Sequence, residues 1–191
     1  MKRGILVVIS GPSGVGKDTL IKRLLELDRN LVYSVSGTTR APRPGEKPDE
    51  NYTFLTRAEF EALVAQGAFL EHANYNGNMY GTFKDRVERA RAAGRDVVLK
   101  IDVQGAEQVG NQVPDATSIF VVAPSDEELV HRLESRGSES AHDVEARHEI
   151  SKEEMKLADH YKHVVVNDDV QRAVDEIRGI IDGARHRVIS S

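Results

Sequence analysis

Short apolar runs that alternate with amphipathic stretches predict an α/β fold for this chain. Mostly apolar runs of strand length occupy 5–9, 97–101, 118–122 and 163–166. After the first run, Leu20, Leu24 and Leu27 follow helical spacing. Strands that alternate with helices pair in parallel, so we expect a parallel sheet with helices on both faces and ligands at the carboxyl ends of the strands.

The first strand and the first helix are joined by a glycine-rich turn with a lysine. Its residues are Gly11, Pro12, Ser13, Gly14, Val15, Gly16, Lys17, Asp18 and Thr19. A strand, a glycine-rich turn and a helix start in this order predict a phosphate-binding loop of the P-loop type, whose backbone N–H groups converge on phosphate oxygens. Lys17 would supply a charge to the β- and γ-phosphates. Asp18 departs from the motif, which has Ser or Thr here to reach Mg²⁺.

The stretch of about 36–86 reads as a compact insertion. The segment 36–46 is too rich in Gly and Pro for regular structure, and Arg40 and Arg43 in it are suited to bidentate phosphate contacts. A capping box at Thr56 opens a helix, and Asn76-Gly77 predicts a hairpin turn. Thr82 is expected to cap a further helix.

Composition narrows the function classes. Apolar residues make up 39% of the 191 residues and charged residues 30%, which excludes disorder. The net charge of −5 counts against a nonspecific nucleic-acid binder. The chain has no cysteine, its histidines show no metal-site spacing, and it has no apolar run of membrane-spanning length. We therefore expect a single cytoplasmic domain without nucleic-acid or membrane partners.

The chain resembles guanylate kinases nearly from end to end. The resemblance rests on the phosphate loop, on Thr38-Thr39-Arg40 with Arg43, on Glu71 with Tyr80-Gly81-Thr82, and on the segments 101–105, 132–137 and 167–169. It implies an ATP:GMP phosphotransferase with Mg²⁺ and with ATP as co-substrate. It also implies a core of about 1–35, 87–125 and 150–191, a GMP-binding insertion of about 36–86, and a helical lid of about 126–149.

Individual roles follow from the resemblance, position by position. The phosphate of GMP would be held by Arg40, Arg43, Tyr52 and Tyr80. Guanine would be read by Ser36, Glu71, Thr82 and Asp102. ATP would be held by the phosphate loop and Asn167. The transferring phosphoryl group would be surrounded by Lys17, Arg40, Arg43 and the lid arginines Arg132, Arg136 and Arg147.

The chemistry of Glu71 agrees with this role. Guanine presents an N–H and an adjacent amino group, two donors that one carboxylate can accept together, and adenine lacks that pair. A site built on such contacts rejects the wrong base by leaving buried polar atoms unpaired.

Two other functions stay open at this point. Ribose 1,5-bisphosphokinases share the Gly-Lys-Asp pattern but not the two-arginine segment or the Glu71 hairpin. Guanylate-kinase-like scaffold domains bind peptides without chemistry, but their phosphate loops are degraded. The chain also departs from the guanylate kinase pattern at Lys100, where the family usually has Asp or Glu. Because Asp18 and Lys100 would lie near each other, they are expected to neutralise each other, and Asp18 is also a candidate Mg²⁺ ligand.

Overall fold

A parallel sheet forms the centre of the computed structural model, which describes residues 2–134 and 141–189. Over these residues the strands are β1 (Leu6–Ser10), β2 (Leu31–Tyr33), β3 (Gly37–Thr38), β4 (Thr53–Phe54), β5 (Phe69–Tyr75), β6 (Asn78–Phe83), β7 (Asp96–Lys100), β8 (Thr117–Val122) and β9 (His163–Val166). The helices are α1 (Lys17–Leu27), α2 (Arg57–Ala65), α3 (Lys84–Ala92), α4 (Val103–Gln112), α5 (Asp126–Glu134), α6 (Ala141–Met155) and α7 (Val170–Ile189).

The central sheet has the order β2-β7-β1-β8-β9, and every pairing in it is parallel. Alternate residues of β1 point to opposite faces, as the two-residue period of a strand requires. Val7 and Ile9 pack with residues of α1 and α7 on one face, and Leu6 and Val8 pack with residues of α3 and α4 on the other. The predicted parallel sheet with helices on both faces is therefore confirmed.

A second sheet is built from the insertion predicted at about 36–86. Its order is β4-β3-β6-β5, and β5 and β6 form an antiparallel hairpin. Asn76 and Gly77 turn the hairpin with φ values of 47° and 76°, as the Asn-Gly signal predicts. The Thr56 capping box is also present, because Thr56 Oγ1 accepts from the Glu59 N–H and the Glu59 carboxylate accepts from the Thr56 N–H.

Two local expectations were wrong. Thr82 does not cap a helix: it lies inside β6, and α3 begins at Lys84 with Phe83 at its N-cap and no side-chain cap. The segment 36–46 is not wholly irregular, because Gly37–Thr38 pairs with β4 and β6. No helix in the described ranges combines the length and apolar character needed to cross a membrane.

Candidate active site

The carboxyl ends of the central strands meet the second sheet at a cavity of about 900 Å³. Predicted site residues from both parts of the chain line it: Gly11, Ser13, Gly14, Gly16, Lys17, Asp18, Ser36, Arg40, Arg43, Tyr52, Glu71, Tyr80 and Asp102. Pro12, Val15, Thr19, Thr82, Arg132 and Asn167 are not among its lining residues. The structure therefore brings the phosphate loop and most of the residues matched to GMP binding to one volume.

Asn167, which directly follows β9, binds the backbone of the phosphate loop. The Asn167 side chain is buried, and its Nδ2 donates to the Val15 carbonyl at 2.7 Å. At the end of the loop, Lys17 Nζ donates to the carbonyls of Gly11 at 2.5 Å and Pro12 at 2.8 Å. Asn167 thus supports the conformation of the loop, and its matched role at adenine stays a prediction.

Arg40 is oriented by a carboxylate that the sequence did not single out. Arg40 Nη2 donates to Glu46 Oε1 at 2.8 Å, and the Arg43 backbone N–H donates to Glu46 Oε2 at 2.7 Å. Burial raises the pKa of Glu46, but the hydrogen bonds from Arg40 and Arg43 outweigh it and leave the pKa below its ordinary value. Arg40 Cζ also lies 5.3 Å from the centre of the Tyr52 ring. Glu46 therefore holds the two-arginine segment in shape.

Glu71 lies almost fully buried on β5, directly opposite Thr82 on β6. Thr82 Oγ1 donates to Glu71 Oε1 at 2.6 Å. A Cβ at Gly105 would approach Glu71 Oε2 to 2.4 Å, so the absence of a side chain at 105 makes room for the carboxylate. Thr82 and Gly105 together set the position of Glu71.

Two carboxyl groups at this end of the cavity have raised pKa values. Burial is the main cause of the rise at Glu71, to about 7; the Thr82 hydrogen bond opposes it and Asp102 adds to it. Burial also raises the pKa of Asp102, against hydrogen bonds from the Gly105 and Gln104 N–H groups. Asp102 Oδ1 accepts from the Gly105 N–H at 2.8 Å and so caps α4 while lining the cavity.

The raised pKa of Glu71 predicts a pH-dependent stability. As the pH rises from 4.5 towards 7, the unfolded chain releases the Glu71 proton while the folded chain keeps it, so stability falls. Between pH 5 and 8 this group should lower the free energy of unfolding by about 2–3 kcal/mol. We expect Glu71→Gln to lack this part of the decline in urea unfolding measured at both pH values. Identical pH dependence in the two proteins would contradict it.

Glu154 on α6 is a candidate functional residue that sequence reasoning missed. It is buried, lines the cavity, and has no hydrogen-bond partner at Oε2 within the described part of the chain. Burial raises its pKa to about 7; Lys17 and the Ser13 N–H lower it and Asp102 raises it. Nothing in the charged sequence of α6 distinguishes Glu154 from its exposed neighbour Glu153. The structure thus adds a carboxyl group beside the phosphate loop.

Asp18 and Lys100 meet at the boundary between the loop and the second sheet. Lys100 Nζ donates to Asp18 Oδ1 at 2.5 Å, as the sequence led us to expect. In the described ranges no group of three or more His, Asp or Glu side chains is placed to hold a metal ion. Mg²⁺ commonly binds through substrate phosphates, waters and one or two carboxylates. The donor set here fits that mode, because Asp18 lines the cavity beside the phosphate loop and can supply a carboxylate oxygen.

The lid arginines are only partly described. Arg132 donates from Nε to Glu128 Oε1 at 2.7 Å and from Nη2 to the Asn167 carbonyl at 3.1 Å. Arg136 and the side chain of Arg147 lie outside the described residues. The lid and the roles of its arginines stay predictions.

Comparisons with known proteins agree with this arrangement. The family model described as guanylate kinase matches residues 3–184. A guanylate kinase of Rubrobacter xylanophilus is 50% identical over 177 residues, which is 93% of each chain. One of Lactococcus lactis is 46% identical over 187 residues, covering 98% of this chain and 91% of its own.

A solved structure supports the same assignment. The crystal structure of guanylate kinase from Anaplasma phagocytophilum superposes with a TM-score of 0.80 at 35% identity, covering 96% of this chain and 87% of that one. Because the match spans the phosphate loop, the second sheet and the C-terminal helix alike, the chain belongs to the guanylate kinase family.

Proposed function

We propose that this chain transfers the γ-phosphoryl group of ATP to GMP and releases ADP and GDP. The observation that carries the proposal is the single cavity lined by both the phosphate loop and Glu71. A donor triphosphate on the loop and an acceptor nucleotide near Glu71 would share one cavity. The relatives are named guanylate kinases, which agrees with this reaction.

Base selection rests on Glu71 and its supports. The ionised carboxylate would accept the guanine N1–H and the adjacent amino group, while Thr82 and the space at Gly105 hold it in place. Asp102 and Ser36 line the same cavity. AMP would leave Glu71 without its two donors, and an unpaired buried polar group costs about 1–3 kcal/mol.

Phosphoryl transfer would need alignment and charge neutralisation rather than a general base, because the phosphate of GMP is already an anion. Arg40, kept in place by Glu46, and Arg43 would hold that phosphate together with Tyr52 and Tyr80. Lys17 would leave the Gly11 and Pro12 carbonyls for the phosphates of ATP. The lid arginines Arg132, Arg136 and Arg147 would add charge as negative charge spreads over the phosphoryl group.

The magnesium ion implied by the family would be held by the phosphates of ATP, with Asp18 as the protein carboxylate at its edge. When bound, Mg²⁺ screens the charge of the phosphate groups. The expected cytoplasmic location stays a prediction.

An ADP-coupled assay tests the reaction. ATP and Mg²⁺ are combined with GMP, AMP, UMP, CMP or ribose 1,5-bisphosphate in turn, and Lys17→Met serves as the control for contaminating kinase activity. We expect GMP to be the preferred acceptor by at least a hundredfold in kcat/KM, because the other acceptors lack the paired donors. Turnover of the sugar phosphate alone would support the bisphosphokinase alternative, and no turnover with any acceptor would support a binding module.

A further inference from the structure

Asp18 and Lys100 form an ion pair at the wall of the cavity. Both line the cavity, and Lys100 lies at the end of β7, next to Ile9 of β1 in the register of the sheet. The two side chains are unequally exposed, 18% for Lys100 and 66% for Asp18. A lysine this buried needs a partner for its charge, and Asp18 supplies one at 2.5 Å.

The ammonium of Lys100 lies near the Tyr52 ring, which lines the same cavity. Its Nζ is 5.4 Å from the centre of the Tyr52 ring, and Arg40 Cζ is 5.3 Å from the centre of the same ring. Tyr52 in turn packs edge-on against Tyr80, with ring centres 6.0 Å apart. The Tyr52 ring is therefore approached by two cations, Lys100 from β7 and Arg40 from the two-arginine segment.

The pair also changes the charge that is expected at each of these two positions. A phosphate loop usually has Ser or Thr at 18, and guanylate kinases usually have Asp or Glu at 100. Here the acid stands at 18 and a cation at 100, so the net charge of the two positions changes only from −1 to zero. A change at only one of the two positions would be unfavourable. Asp18 without Lys100 would repel a triphosphate, and Lys100 without Asp18 would leave a largely buried positive charge unpaired.

Resting on the proposed function, we propose that Lys100, oriented by Asp18, is a further phosphate-binding residue of this enzyme, and that its ammonium contacts the phosphate of GMP. Asp18 is then a positioning residue, which acts on GMP through Lys100. An ammonium fixed next to an aromatic ring and a carboxylate loses little freedom when a phosphate arrives, so the contact is preorganised. The proposal gives Asp18 a role in GMP binding that does not require Mg²⁺.

The test is GMP binding measured by calorimetry in EDTA, without ATP, for the wild type, Asp18→Asn, Lys100→Met and the double variant. A charge-assisted contact contributes about 1.5–3 kcal/mol, which is roughly 10- to 150-fold in affinity. We expect Lys100→Met to raise the Kd for GMP at least tenfold and Asp18→Asn to raise it at least fivefold. The double variant should bind no more weakly than Lys100→Met, because Asp18 has nothing left to orient.

Further variants distinguish the loss of this phosphate contact from misfolding and from the loss of an exposed ion pair. Lys100→Arg keeps the charge and should hold the Kd within about threefold of the wild type, and thermal unfolding checks that each variant folds. The exposed Asp85–Arg89 pair on α3, joined at 2.8 Å, is the matched control. Asp85→Asn and Arg89→Met should leave the Kd unchanged, since exposed pairs contribute little.

The possible results separate a failure of the proposed function from a failure of the inference about Lys100. If the wild type binds no GMP, the proposed function fails, whatever the pair does. If the wild type binds GMP but the effects of Asp18→Asn and Lys100→Met multiply, the two residues act separately and the inference fails alone. If Asp18→Asn changes nucleotide binding only when Mg²⁺ is present, Asp18 acts through the metal alone and the inference is again overturned.

Discussion

Glu71→Gln is expected to lower kcat/KM for GMP by about 30- to 1000-fold while leaving the affinity for ATP within twofold of the wild type. The amide can accept one guanine donor but turns its own NH₂ towards the other, so one contact is lost and one buried donor is mispaired. Such a change costs about 2–4 kcal/mol in transition-state binding. The loss should be larger than a truncation at the rim of the cavity because Glu71 is only 4% exposed.

Steady-state kinetics with GMP varied and ATP saturating measures this effect. Glu61→Gln is the matched control, because Glu61 lies exposed on α2 and pairs with Arg57 at the surface. A variant with GMP kinetics within twofold of the wild type would show that Glu71 does not read the base. An equal loss for ATP and GMP would point to a disturbed β5–β6 hairpin instead.

The elements that the sequence predicts well are those whose signals are local. β1, the glycine-rich turn and α1 follow each other within about 20 residues, and each is specified by its own apolar or glycine pattern. The Asn76-Gly77 turn and the Thr56 capping box are equally local and are confirmed. Here the backbone preference of a few residues decides the structure.

At Thr82, the pairing between β5 and β6 overrides a local pattern that predicts a helix cap. A threonine before a charged, helical stretch is a good N-cap candidate, but β6 continues through Phe83 because it pairs with β5. That pairing places Thr82 opposite Glu71, where its hydroxyl donates to a buried carboxylate. Because Glu71 lies 11 residues away in the chain, the local capping pattern does not indicate this pairing.

The contact of Asn167 with the loop and the burial of Glu154 could not be predicted from the sequence, because both depend on the tertiary arrangement. The amide of Asn167 binds the carbonyl of Val15 across 152 residues, a contact that only the parallel order β1-β8-β9 creates. Glu154 becomes buried because α6 packs beside the phosphate loop, although its own helix carries no regular apolar face. By contrast, the Asp18–Lys100 contact was predicted, because the resemblance to P-loop folds implies that these two positions lie near each other.

The contact between Asn167 and the loop gives the second large prediction, for Gly16→Ala. Gly16 has a φ of +93°, a left-handed conformation that costs a residue with a side chain about 1–2 kcal/mol. An added Cβ would also lie 2.4 Å from Asn167 Nδ2. To relieve this overlap, Asn167 must move and lose its buried hydrogen bond to Val15, at a further cost of about 1–3 kcal/mol.

We therefore expect Gly16→Ala to weaken ATP binding at least tenfold and to lower the midpoint of thermal unfolding, because the loop can keep its phosphate-binding conformation only with strain. Gly110→Ala on α4 is the control: among the described residues, no atom beyond its own helical turn lies within 4 Å of the added Cβ, and the helical position favours alanine by up to about 1 kcal/mol. Asn167→Ala separates the two causes. It removes the overlap together with the hydrogen bond, so adding Gly16→Ala to it should cost only the backbone strain. If Gly16→Ala and the wild type bind ATP within twofold and unfold at the same temperature, the shape of this loop does not depend on glycine at 16.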